Sequence, residues 1–190
     1  IGRYQEAVSQ LKKAGKKASD DSPYLLEIFQ ELAFAYSELK KPDTALHYID
    51  LTDELDCDHE DMMVIRGHIL LSNNRIAEAE EMFKKAINQS TNTPQTLLRI
   101  IVSLYDNHFL EAAYTMFLSF FENVGKNWKD GYAYMALCCH DLKRNDEFMK
   151  YLKMACERNP QEARQVLAYL FPEDMKAGEY YNYMKGKMKK

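Results

Sequence analysis

The sequence predicts an all-α protein built from stacked antiparallel helical hairpins, and three observations carry that expectation. Ala45, Ala79 and Ala113 recur at intervals of 34 residues, each followed four residues later by a large apolar side chain, Ile49, Phe83 or Phe117. A near-copy of the pattern ends at Ala155 and Pro160, and self-similarity of that length is the mark of a stacked helical repeat. Seven glycines and five prolines in 190 residues leave little material for turns, while the abundant Ala, Leu, Glu, Lys and Met favour helix. Apolar residues also follow helical spacing, as at Ala7, Leu11 and Ala14.

The elements follow from this phasing. Residues 1–19 read as the second helix of a truncated first hairpin, ending in the loop Ser19-Asp20-Asp21-Ser22-Pro23. A second hairpin, 24–57, pairs Tyr24–Leu39 with Asp43–Leu55, where Pro42 stops one helix and Asp43 caps the next. The third, 59–91, pairs Glu60–Leu71 with Ile76–Asn88. The fourth, 94–125, pairs Pro94–Asp106 with Leu110–Asn123, entering through Pro94 in its opening turn. The fifth, 128–160, pairs Trp128–Leu142 with Asp146–Glu157. The period stops at Pro160, so 161–190 is expected to supply capping helices, Gln161–Phe171 and Glu179–Lys187, for the exposed end of the array. No Gly/Ser linker divides the chain, which is therefore read as a single array over 1–190.

Composition narrows the function classes. A net charge of −4 argues against sequence-independent nucleic-acid binding, which needs clustered cations. The lysines at 12, 13, 16 and 17 and at the extreme C-terminus read as solvated helix faces. No apolar run reaches the ~20 residues that a membrane span requires. Four cysteines without CxxC spacing suggest free thiols in a reducing compartment. Cytoplasmic location is the expectation, although the sequence opens on Ile1 in the middle of a repeat and a targeting segment would precede it.

The residues at the repeating positions resemble the tetratricopeptide repeat. In the second hairpin they are Phe29, Leu32, Ala33, Tyr36, Ala45, Ile49, Thr52 and Cys57. In the third they are Met63, Arg66, Gly67, Leu70, Ala79, Phe83, Ala86 and Thr91. The fourth gives Leu97, Ile100, Ile101, Leu104, Ala113, Phe117, Phe120 and Gly125, and the fifth Tyr132, Met135, Ala136, Cys139, Phe148, Leu152, Ala155 and Pro160. Small residues let paired helices approach and large ones fill the gap to the next hairpin. Ile101 and Phe148 are bulky where the family is usually small, and Arg66 stands at an apolar position. Tilted or looser packing in the fourth and fifth hairpins is the expectation from those departures.

The resemblance implies a right-handed α-α superhelix whose leading helices line a concave groove. The groove positions hold Glu27, Glu31, Phe34 and Glu38, then Asp61, Val64, Ile65 and His68. Leu98, Arg99, Val102, Tyr105 and Asp106 follow, with Tyr134 and Asp141 in the fifth hairpin. This is an apolar and aromatic strip edged by carboxylates, suited to a peptide with apolar anchors and some positive charge. An equal alternative is that Val64, Ile65, Leu98 and Val102 pack between neighbouring hairpins. A third is that the C-terminal helix, with Tyr180, Tyr181, Tyr183 and Met184, folds back over the strip. The family's cationic clamp for chaperone carboxylates is missing: Gln30, Phe34, Asp61 and Ile65 occupy the matching places.

Candidate chemistry is sparse. His59-Glu60 begins an HExxH-like run, but Met63 stands where the second histidine belongs. Asp56, Asp58, Glu60 and Asp61 instead suit a helix N-terminus. Cys138, Cys139 and His140 are adjacent, and neighbouring helical residues diverge by about 100°, so buried structural thiols are the better expectation. Trp128 reads as a packed anchor. No catalytic residue, cofactor or metal is expected. The reading is a non-enzymatic interaction scaffold for a protein or peptide, without nucleic-acid binding or membrane insertion. The alternative is a regulatory module coupling a ligand to a DNA-binding or membrane segment outside these residues.

Overall fold

A computed structural model describes residues 2–19, 22, 24–55 and 60–187. The expected Asp56–Asp58 carboxylate turn, Cys57, His59 and the loop residues Asp20, Asp21 and Pro23 lie outside the described residues. All regular structure among the described residues is helical: α1 Gly2–Lys17, α2 Tyr24–Glu38, α3 Pro42–Leu55, α4 Glu60–Ser72, α5 Ile76–Gln89, α6 Thr93–Asp106, α7 Leu110–Asn123, α8 Tyr132–Asp141, α9 Asn145–Arg158, α10 Pro160–Leu167 and α11 Ala177–Lys187. A single 3₁₀ turn, Ala168–Leu170, follows α10. The chain falls into two compact units, residues 1–103 and 104–190.

The repeat shows most plainly at its turns. Lys40, Asn74, His108 and Lys143 all have positive φ, between 56° and 64°. Each turn is closed by the same pair of backbone hydrogen bonds. In the first, Lys40 N–H donates to Ser37 O and Lys41 N–H to Tyr36 O; equivalents run from Asn74 and Arg75, His108 and Phe109, and Lys143 and Arg144. These bonds satisfy carbonyls that the ending helix would otherwise leave unpaired. Pro42 opens α3 at its first helical position, where its missing N–H costs nothing. Asp43 therefore lies inside the first turn of α3 and not at the expected cap.

In the N-terminal unit, α1 packs on α2, α2 pairs with α3, α3 touches α4, and α4 pairs with α5. Its core joins Ile28, Leu32, Ala33 and Tyr36 of α2 with Ala45 and Ile49 of α3 and Met62 and Ile69 of α4. Val8 and Leu11 close it from α1. Gly67 shows why a small residue is needed: a Cβ there would lie 2.3–2.9 Å from three atoms of the Phe83 ring. Arg66, at its anomalous position, reaches Asp50 with a 2.8 Å ion pair.

In the C-terminal unit, α7 packs on α8, and α8 pairs with α9. The looseness expected of the fifth hairpin is not found. Phe148 is buried, with its ring set edge-on to His140 at 5.4 Å, and Met135, Ala136, Cys139, Leu152 and Ala155 are sealed from solvent. The residues after Pro160 form one more hairpin, with α10 on α8 and α11 on α9 and α10. Phe171 and the buried Tyr180 stack at 3.8 Å to hold it.

Helix α8 begins four residues later than the sequence suggests, and the cause is a polar clamp. Arg158 Nη1 donates to the carbonyls of Lys126 and Trp128, both at 2.9 Å, and Asn159 Nδ2 to Asp130 Oδ1 at 2.8 Å. Gly131 takes φ 85°, a conformation open to glycine. Glu162 of α10 then accepts from Gly131 N–H at 2.8 Å and Ala133 N–H at 3.3 Å. A carboxylate from another helix caps α8, where the positive end of its dipole favours negative charge.

Candidate functional site: the leading-helix faces

In the N-terminal unit, side chains of the leading helices α2, α4 and α6 meet in a ladder. Gln30 Nε2 donates to Met62 Sδ at 3.3 Å, and the Ser37 and Ser72 hydroxyls lie 3.0 Å apart. The Phe34 and His68 rings stack with centroids 6.5 Å apart and planes 28° from parallel. His68 Nδ1 in turn lies 3.1 Å from Ser103 Oγ. Asp61 of α4 forms an ion pair with Arg99 of α6. These contacts join residues 32–38 positions apart, close to one repeat, because helices one hairpin apart lie side by side.

The expected strip separates by depth. Glu27, Glu31, Phe34 and Glu38 are exposed on α2, and Phe34 shows 46% of its surface. Asp61, Ile65 and His68 on α4 and Val102 on α6 are half-buried, while Arg99 is exposed. Val64 and Leu98 are buried and contribute packing. Burial holds the His68 imidazole below its ordinary 6.5, so it is neutral near pH 7 and able to stack as an apolar ring.

Tyr105, Asp106, Tyr134 and Asp141 belong to the C-terminal unit. Tyr105 donates to Asp141 Oδ2 at 2.6 Å, and His140 Nδ1 lies 3.1 Å from Asp141 Oδ1. Burial first, and the Asp141 carboxylate second, push the Tyr105 phenol far up, so it stays a donor. Burial pushes the Tyr134 hydroxyl up as well. Helix α11 finds its partners in α9 and α10.

The sulfur groups are placed for packing. Cys138, Cys139 and Cys156 are free and buried. Burial pushes the first two up to about 11 and about 12, so both stay protonated thiols at neutral pH. Cys138 Sγ donates to the Leu110 carbonyl at 3.4 Å. Among the described residues, no group of three or more His, Cys, Asp or Glu is gathered for a metal. No helix among them is long and apolar enough to cross a membrane. Trp128 packs edge-on against Phe120 at 5.6 Å and donates through Nε1 to Asp130 O at 2.9 Å.

Matching turns, paired helices and a ladder of contacts one repeat apart define an α-helical repeat protein. Residues 60–93, which contain α4 and α5, match the family model of the tetratricopeptide repeat. No curated protein matches it. Among solved structures, a crystal structure of MamA is similar at 18% identity and TM-score 0.46, covering 86% of this chain and 92% of the other. The C-terminal part of a TPR repeat-containing protein from Cytophaga hutchinsonii is similar at 18% identity and TM-score 0.36, covering 98% and 85%.

Proposed function

We propose that the chain is a non-enzymatic interaction scaffold whose leading-helix face in the N-terminal unit binds a peptide with an apolar anchor and flanking basic residues. The observation that supports this most is Phe34. A large aromatic side chain stands 46% exposed on a helix whose neighbouring exposed side chains, Glu27, Glu31 and Glu38, are carboxylates. Half-buried Ile65 and the stacked His68 extend the apolar ground beside it. Exposed apolar surface rimmed by charge is a common form for a protein-binding patch, and the rim favours a cationic partner. The helices are fixed by their own packing, so the peptide bears most of the ordering cost.

Fluorescence anisotropy with a labelled peptide that places Leu and Phe between lysines tests this. Binding should weaken about tenfold or more with Phe34→Ala, and comparably with Glu27→Lys and Glu31→Lys together. A matched peptide with Glu in place of Lys should not bind at this face. Equal binding to the native chain and to both variants would overturn the reading.

A further inference from the structure

The second helices of the C-terminal unit form a cleft of about 590 Å³ between α7, α9 and the segment that follows α7. Its volume lies within the range of small-ligand and side-chain pockets. Phe121, Tyr132 and Tyr151 contribute to its lining. The Phe121 ring lies 4.2 Å from Tyr132 and 6.1 Å from Tyr151, nearly parallel to the first. Three cations, Lys126, Lys150 and Arg158, line the same cleft, against one carboxylate, Glu122. Two of them are set over its rings: Arg158 Cζ lies 4.9 Å from the Tyr132 centroid and Lys150 Nζ 4.9 Å from that of Tyr151.

We propose that this cleft is a docking site for an acidic peptide segment carrying an apolar side chain. The apolar group would rest on the Phe121–Tyr132–Tyr151 surface and the carboxylates would face Lys126, Lys150 and Arg158. The argument is charge complementarity. The protein as a whole carries −4, yet here cations outnumber carboxylates three to one. Aromatic faces orient two of these cations, Lys150 and Arg158. Arg158 is also held in place, since its Nη1 donates to two carbonyls of the 126–128 segment, and a guanidinium has five donors in all. The site is lined mainly by the second helices α7 and α9 and prefers the opposite charge to the leading-helix face, so it stands independently of the function proposed above.

The test uses the whole chain and a fluorescein-labelled peptide in which Leu and Phe alternate with Glu. The native chain should bind it, and Lys126→Glu with Lys150→Glu should weaken binding at least tenfold while leaving the thermal unfolding midpoint unchanged. The same charge change made elsewhere, Lys13→Glu with Lys84→Glu, should leave binding within twofold. A control peptide with Ser for Leu and Phe should bind at least tenfold more weakly. Equal loss in both charge-reversed pairs, equal binding of the Ser peptide, or no binding of the probe would overturn the proposal. So would a preference for phosphatidylserine vesicles, for poly-U RNA or for a second copy of the chain over the acidic peptide.

Discussion

Gly67 and Phe83 fit together because one lacks the atom that the other's ring would strike. Alanine normally stabilises a helix relative to glycine, but a Cβ at 67 would fall within 2.3 Å of the Phe83 ring. Gly67→Ala should therefore destabilise the protein by about 1–3 kcal/mol through overpacking, read from urea unfolding, and a gain in stability would contradict the packing described. His68 makes a second prediction. Its native pKa is lowered from 6.5 by burial, so just below pH 6.5 the unfolded chain binds more protons than the native one. The stability it contributes is whole above that pH and is lost as the pH falls to the native value. Urea midpoints at pH 7.5 and 5.5 should differ more for the native protein than for His68→Gln. The need for a small residue at 67 was legible from its repeat position, but its contact with Phe83 was not, because large residues at that position were expected to fill the gap to the next hairpin. The depth of Val64 and Leu98 was not, because an apolar side chain on a leading helix serves a groove or a neighbouring helix equally well.

Turns and caps decide matters at the scale of the element. The left-handed positions 40, 74, 108 and 143 recur with the repeat; Asn74 and His108 are types that accept that region more readily, whereas Lys40 and Lys143 gave no sign of it. Backbone geometry repeats there through hydrogen bonds that any residue can make. Left-handed conformation costs a β-carbon residue about 1–2 kcal/mol, partly offset by the greater unfolded-state freedom of glycine. Lys143→Gly should therefore raise stability by about 0.5–1 kcal/mol, and Lys143→Val should lower it, both measured by thermal unfolding. The start of α8 was misplaced in the sequence for a related reason: its cap, Glu162, lies on another helix, 31 residues from Gly131. Burial pushes the Glu162 carboxyl up and the N–H groups of Gly131 and Ala133 pull it back. Removing the acceptor with Glu162→Ala should cost about 1–2 kcal/mol, and hydrogen exchange at Gly131 and Ala133 should quicken.

For the whole molecule, the period of 34 residues reveals the hairpins as far as Pro160, and the hairpin after it lacks the pattern. Helices α10 and α11 pack on α8 and α9 as a further hairpin, although the sequence after Pro160 loses the phased alanines. The stacked rings of Phe171 and Tyr180 hold that hairpin in place of the phased alanines. Function was legible only as a class, since a scaffold's partner is specified by surface side chains that the fold does not constrain. In the function proposed here, the leading helices of the N-terminal unit present Phe34 and its carboxylates as a binding face. Its most direct test is an amide chemical-shift titration of the whole chain with the Lys-flanked Leu/Phe peptide. Saturable shifts should centre on Glu31, Phe34, Ile65 and His68 and vanish with Phe34→Ala; shifts confined to α3 and α5, or none at saturating peptide, would contradict the account.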